Sequence, residues 1–445
     1  MIGTIRPFNG FSPETFARRR SRILDELGEG VLVLPAAPTL YKSRDTEHRY
    51  RPDSELFYAT GIIESRTVAV LRGFAQEDRF LLFLPPVDPK HELWFGPRLD
   101  PEEAAELYGA DAGYPLSELE ERLPDLLEGA DRAFFRVGSD PRCQSLVFEA
   151  LTRARNRGAR KGEGPRGVVD PGEILDELRI RKDEEEIVRI RQATGVTAAA
   201  FLETIPQVNP GMGEWEVESL LEASFRKAGA RGPAFPTIVG SGVNSCILHY
   251  PQNHRLIGEG EMVLLDGGAD VDLFAGDVTR TFPASGTFSA PQRDVYQVVR
   301  EALQVGIETI RPGVEVTELH RTVVSCLIRG LVDLKVLRGD TEELLESKAY
   351  EPFYPHQTSH WLGLDVHDVG DYMKAGEPRA LEPGMVLTIE PGLYFREVEG
   401  EEDSPFTGTG VRIEDDLLVT ESGSENLTGS IPVDSEEVEA LLAGG

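Results

Sequence analysis

Two apolar phrases in this 445-residue chain run into carboxylates: Met262-Val263-Leu264-Leu265-Asp266-Gly267 and Met385-Val386-Leu387-Thr388-Ile389-Glu390-Pro391-Gly392. Short runs of Val, Leu and Ile closed by Gly or Pro read as buried strands. An acid carried to the end of such a strand has little structural reason to be there, because burying its charge costs free energy unless a proton, a cation or a basic side chain meets it. Whatever fold the chain adopts must supply that partner. The likeness of the two phrases also hints at two related halves, each a helix pair followed by strands.

The elements around these phrases can be placed from their boundary residues. Ser12 caps a helix opened by Pro13 and closed before Gly28. Val31 to Leu34, Val68 to Leu71 and Phe80 to Leu84 read as strands, and Pro101 to Tyr108 and Leu116 to Leu127 as helices, an alternation that predicts an α/β layer domain. Residues 158–172 hold five Gly and two Pro, which favours a connection, so a first domain is expected over 1–172 and a second over 173–445. The second opens on Asp183 with Glu186 three residues on, a capping box ahead of Ile187, Ile190 and Ala193 at helical spacing. Further helices are predicted over Glu214 to Lys227, from Ser289 with Gln292 at the capping offset, and over Glu315 to Leu331.

The balance of 46 Lys and Arg against 77 Asp and Glu leaves a net charge of −31, a field that repels nucleic acid and anionic membrane surfaces. No apolar run reaches the roughly 20 residues of a spanning helix, and the MIGTIRPFNG start has no apolar signal core. A cytoplasmic location is expected. Cys143, Cys246 and Cys326 lie too far apart for a zinc or redox motif and read as small buried apolar residues.

More acids and a histidine cluster join the two strand ends. Asp277 follows Asp266 by eleven residues, and a hairpin centred between Val271 and Asp272 would set the two carboxylates opposite each other. Such a pair marks either a metal site or a turn with solvated acids. His356, His360 and His367 fall within twelve residues, and imidazole is both the common nitrogen ligand and the usual proton carrier near pH 7. His48, His91, His254 and His320 read as surface or satisfied core positions. In Gly410-Val411-Arg412-Ile413-Glu414, alternation sets Arg412 and Glu414 on one face of a strand.

Taken together these residues resemble the metal-dependent aminopeptidases and prolidases of the pita-bread fold, most closely the aminopeptidase P branch. The likeness spans nearly the whole chain. Phrases that carry it are His360-Trp361-Leu362-Gly363-Leu364-Asp365-Val366-His367-Asp368, Gly240-Ser241-Gly242 through Asn244 to His249-Tyr250, and Arg51-Pro52-Asp53-Ser54 to Gly61. The resemblance implies an α/β N-terminal domain followed by an α+β pita-bread (creatinase/aminopeptidase-like) catalytic domain. It places metal ligands on Asp266, Asp277, His360, Glu390 and Glu414, with Asp277 and Glu414 bridging two ions. It also gives His249 and His367 substrate binding and stabilisation of the tetrahedral intermediate, His356 part of a proline pocket, and Arg412 and Tyr394 the task of orienting the bridging acids.

The implied reaction is release of the N-terminal residue from peptides with proline second, through attack by a hydroxide held between the ions. Four carboxylates and one imidazole balance two divalent ions, with Mn²⁺ expected ahead of Co²⁺, Mg²⁺ or Zn²⁺. Prolidase, limited to Xaa-Pro dipeptides, is the alternative; methionine aminopeptidase fits less well because of the large N-terminal domain, and a catalytically inactive binding protein fits poorly with all five ligands present. Trp94 resembles a tryptophan that in some relatives reaches a neighbouring subunit's site, which implies a homodimer or homotetramer. Phe235 stands where some relatives carry tyrosine.

Overall fold

The computed structural model describes residues 7–159, 164–397 and 404–444. Part of the Gly/Pro-rich connection, 160–163, and the first six residues, on which the reading of the amino terminus rests in part, lie outside the described residues. The chain divides into two compact units, Met1–Arg179 and Ile180–Gly445. The expected boundary at 172 falls instead at the start of the helix Gly172–Arg179, which closes the first unit.

In the first unit a six-stranded mixed sheet runs in the order 112–115, 80–84, 68–72, 30–35, 132–134, 168–169. The strands Gly30–Pro35 and Phe80–Leu84 are buried at every position. Both faces of the sheet are therefore covered, which is why these strands read as continuous apolar runs with no alternation. Ser12 accepts the Thr15 amide at the head of the helix Pro13–Leu27.

The second unit is built in two halves of helices and antiparallel strands. The long helix Glu184–Thr204 starts at Asp183 with both bonds of its capping box made, and the helix Glu214–Lys227 follows. Strands Ile238–Ser241, Met262–Gly267 and Val278–Pro283 form one sheet with Met262–Gly267 in the middle. The helices Ala290–Thr309 and Val316–Asp333 precede the second sheet, whose order is Val386–Ile389, Asp415–Val419, Ser424–Asn426. A separate ribbon pairs Gly392–Phe395 with Thr409–Arg412. Val299, Leu303, Val323, Leu327, Leu387 and Ile389 belong to a large apolar core that runs through both halves. Among the described residues no helix is long and apolar enough to cross a membrane. Cys143, Cys246 and Cys326 are buried and free.

The register of the hairpin that joins Met262–Gly267 to Val278–Pro283 differs from the expected one. Asp266 faces Thr279, and Val271 faces Phe274, so the turn is centred between Asp272 and Leu273 and Asp277 is not directly opposite Asp266. Both turn residues take positive φ, +52° and +79°, the geometry of a two-residue hairpin turn whose twist matches the strands. Because Thr279 and Asp277 are two residues apart on one strand path, Asp277 still shares a face with Asp266 along the diagonal. Between them the chains close tightly: a Cβ on Gly268 would meet the Gly276 carbonyl oxygen at 1.6 Å, so only glycine permits the crossing.

Candidate metal centre

Strand ends and the links just beyond them deliver the acids. Asp266 lies within its strand and is buried, with its Oδ2 accepting from Arg412 Nη2 at 2.5 Å and its Oδ1 without a hydrogen-bond partner. Asp277 sits on the link Gly276-Asp277, where its backbone N–H donates to Asp416 Oδ2 at 3.0 Å. Glu390 follows the strand Val386–Ile389, and its N–H donates to the Thr358 carbonyl at 2.9 Å. Glu414 occupies the break between Thr409–Arg412 and Asp415–Val419, its N–H bonded to the Thr279 carbonyl and its Oε2 accepting from Thr279 Oγ1 at 2.7 Å.

His360 is held where these acids meet. Its carbonyl accepts the Thr388 amide at 3.0 Å and its own N–H donates to Thr388 Oγ1 at 3.2 Å, while the next residue, Trp361, bridges Leu387 of the second sheet. Its Nδ1 bonds the Trp361 carbonyl at 3.0 Å, which makes Nδ1 the protonated nitrogen and turns the Nε2 lone pair toward the carboxylates. From Nε2 the distances are 3.3 Å to Asp277, 4.0 Å to Glu390 and 4.0 Å to Glu414. Asp277, His360 and Glu414 offer ligand atoms all within 4.8 Å of one another.

Crowding of this kind perturbs protons. Burial first, then Asp266 and Glu390, push the Asp277 carboxyl far above its ordinary range. Burial and Asp277 do the same to Glu414, and burial and Glu414 raise Glu390 to about 8. Among the described residues Arg412 is the buried cation that bonds one of these carboxylates, and four acids with an unpartnered Asp266 oxygen are an arrangement that divalent ions resolve. Oxygen donors with one imidazole suit hard or borderline cations. The donor set fits a divalent metal centre.

Around the centre, a chain of polar contacts runs from Arg412. Its Nη1 donates to the Tyr394 hydroxyl at 3.0 Å, and Tyr394 in turn donates to His356 Nε2 at 2.9 Å. His356 Nδ1 donates to the Gln357 carbonyl, and burial together with Arg412 pushes the ring's pKa down to about 3, which favours its neutral form. Arg412 Nε donates to Thr279 Oγ1. Arg412 thus touches Asp266 directly and Glu414 through Thr279. Tyr394 is fully buried, but its hydroxyl is bonded on both sides. The rings of His360 and His367 meet edge to face at 4.4 Å.

All nine residues singled out from the sequence as ligands or catalytic groups line one cavity of about 850 Å³: Asp266, Asp277, His360, Glu390 and Glu414 with His249, His356, His367 and Arg412. Phe235 lines it too. Two participants were not visible in the sequence as such. Thr279 could have been found by counting two residues on from Asp277 along the same face. His320, expected at a surface or satisfied core position, also lines the cavity, its Nδ1 2.8 Å from Thr358 Oγ1. No signal in the chain singles it out, since its partner lies 38 residues away on another element.

Comparison with known proteins gives this geometry a context. The pattern of metallopeptidase family M24 matches residues 188–421, and that of the aminopeptidase P N-terminal domain matches residues 16–135. The Xaa-Pro aminopeptidase of Escherichia coli is 40% identical over 97% of this chain and 98% of its own. Among solved structures, an aminopeptidase of Pseudomonas aeruginosa superposes with a TM-score of 0.93 at 39% identity, covering 98% of each chain. A zinc-substituted E. coli aminopeptidase P in complex with product superposes with a TM-score of 0.92 at 39% identity, covering 98% of this chain and 99% of the other.

Proposed function

This chain belongs to metallopeptidase family M24 and carries an aminopeptidase P N-terminal domain ahead of a pita-bread catalytic domain, and from that premise we infer that it releases the N-terminal residue from peptides whose second residue is proline. It is a metal-dependent hydrolase. The observation that carries the reading is the convergence of four carboxylates, His360 and four further histidines in one cavity. Asp266, Asp277, His360, Glu390 and Glu414 are the proposed ligands of two divalent ions, Mn²⁺ ahead of Co²⁺, Mg²⁺ or Zn²⁺. When bound, such ions lower the pKa of water into the neutral range and polarise the scissile carbonyl.

The chain's own residues do the rest. In this proposal His249 and His367, which line the cavity, have the task of donating to the carbonyl oxygen as negative charge develops on it. Burial, with His360 and His249 nearby, lowers the His367 pKa, which supports a neutral ring offering one N–H. Arg412 fixes the direction of Asp266 Oδ2 and leaves Oδ1 as the ligand atom. A neutral His356, locked by Tyr394 and the Gln357 carbonyl, can pack against a proline ring without presenting charge. Phe235, Ile238, Leu248, Val316 and Leu319 add apolar wall. An Xaa-Pro bond has no N–H and a fixed φ, so sites that bind the scissile N–H handle it poorly and an apolar pocket suits it.

Assembly as a homodimer or homotetramer is part of the proposal. It is supported by Leu93, Trp94 and Phe95, which stand 82%, 80% and 67% exposed on one short helix, an apolar patch of the kind that marks contact surfaces. The three unpaired cysteines suit a reducing, cytoplasmic setting. The deciding experiment strips metal with a chelator, restores Mn²⁺ and compares Xaa-Pro-Xaa tripeptides with Xaa-Pro dipeptides. Cleavage of tripeptides is expected. Cleavage of dipeptides alone would make the enzyme a prolidase.

A further inference from the structure

Glu214 opens the helix Glu214–Lys227, a position where an acid commonly faces solvent and complements the helix dipole. Here the side chain is fully buried. Its carboxylate accepts five hydrogen bonds. Oε1 takes the Ser241 amide at 2.8 Å, the Ser241 hydroxyl at 2.7 Å and Asn244 Nδ2 at 3.2 Å; Oε2 takes the Tyr250 hydroxyl at 2.9 Å and the Arg255 amide at 3.0 Å. All five donors are neutral groups, and all lie on residues 241–255, the loop that leaves the strand Ile238–Ser241.

That loop carries His249. The imidazole is exposed to the cavity, and among the described residues no hydrogen bond holds it. Its place is therefore set by the backbone beneath it, and Tyr250, the next residue, is pinned through its hydroxyl to Glu214. The opposite side of the loop is pressed against the strand that holds Arg412. Gly410 N–H donates to Ser245 Oγ at 2.8 Å, and a Cβ on Gly410 would come within 2.1 Å of the Ser245 carbonyl oxygen. Asn253, at φ +44°, bonds Val239 N–H and the Thr237 carbonyl and so holds the loop's return to the strand edge.

A carboxylate is an expensive way to close a loop, because its desolvation is offset only when every lone pair is used. Two oxygens reaching the start, the middle and the end of a fifteen-residue segment give a single path that apolar packing alone would not specify. We propose that Glu214 is a positioning residue for the peptidase reaction: it holds the 241–255 loop so that the His249 ring reaches the substrate carbonyl oxygen. The inference rests on the role given to His249 above.

The test is a double-mutant cycle on the Mn²⁺-loaded full-length enzyme with an Xaa-Pro-Xaa tripeptide, reading kcat, KM and bound metal. Glu214→Gln replaces one acceptor oxygen by an amide that faces donors. It is expected to lower kcat by about 10- to 100-fold, as displacements near 1 Å do, with KM and metal content close to those of the parent. In the His249→Ala background the same substitution is expected to change kcat by less than about 2-fold, because the group it positions is gone. An equal loss in both backgrounds, loss of metal, or a parental kcat in Glu214→Gln overturns the proposal. If Glu214→Gln does not fold, Tyr250→Phe removes one donor of five and decides instead: a loss of kcat confined to the His249 background supports the proposal, and no loss or an equal loss overturns it. A parental rate in His249→Ala alone would remove the role assigned to His249, and this inference with it.

Discussion

The strand Phe80–Leu84 of the first unit and the strand Met262–Gly267 of the second hold the same kind of place, interior to a sheet, although the first has one parallel neighbour and the second has none. Each is buried along its whole length and paired on both sides. One is apolar throughout; the other carries Asp266. Pairing therefore does not call for the acid. Buried charges of the first unit have partners of its own making: Arg19 lies over the Tyr58 ring at 4.4 Å, Arg20 over Phe80 at 4.6 Å, and Glu55 pairs with Arg136. In the second unit Asp266, Asp277, Glu390 and Glu414 face one another with one guanidinium among them. The difference teaches that a charge the fold cannot compensate marks the place where the fold is built to take something up.

Paired substitutions sharpen that comparison most. Leu82→Asp, at a fully buried position of the first sheet, adds a charge with no cation to meet it and should leave no cooperatively folded protein, as followed by thermal unfolding. Asp277→Ala takes a charge away from the second unit. It should lower kcat by at least about 10³-fold through loss of a metal ligand, while the metal-stripped variant unfolds no earlier than the metal-stripped parent, since a repulsion has been removed.

Next in size is the effect of pH on the metal-stripped protein. Glu390 has its pKa raised to about 8 from an ordinary 4.5, and Asp277 and Glu414 are raised as well. A carboxyl raised on folding contributes stability that is fully present below its unfolded pKa and is lost as pH climbs through the folded one. The unfolding midpoint should therefore fall between about pH 5 and 8, and restoring Mn²⁺ should flatten the curve. A stripped protein that gains stability over that range would contradict the crowding.

Arg412→Lys keeps the charge but loses the fork that reaches Asp266, Tyr394 and Thr279 together. A drop in kcat of about 10- to 100-fold is expected, measured alongside metal content. Thr279→Val removes only the hydroxyl between Arg412 and Glu414, and the loss should stay within about 10-fold.

Much of this contrast could be read before any coordinates. Capping signals at Asp183 and Ser289 and the long apolar runs mark their elements because the information is local. The hairpin register was not legible. Leu273 at φ +79° is no turn signal, and the tempting symmetry of two aspartates pointed to a centre one residue too early. The carboxylates and histidines were visible as residue types out of place, whereas the groups that orient them were not. Thr279 bonds Glu414 across 135 positions, and Glu214 looks from sequence like any acid in a first helical turn. Both gain meaning only from the surface that folds over them.

In the proposed reading, the second unit's surplus of buried carboxylate holds two divalent ions. Metal analysis of the purified enzyme after chelation and dialysis against Mn²⁺, set beside the Asp277→Ala variant, tests it most directly. Two equivalents per chain in the parent, a large deficit in the variant, and peptidase activity that rises with occupancy are predicted. Full Xaa-Pro cleavage by protein that holds no divalent ion would contradict it.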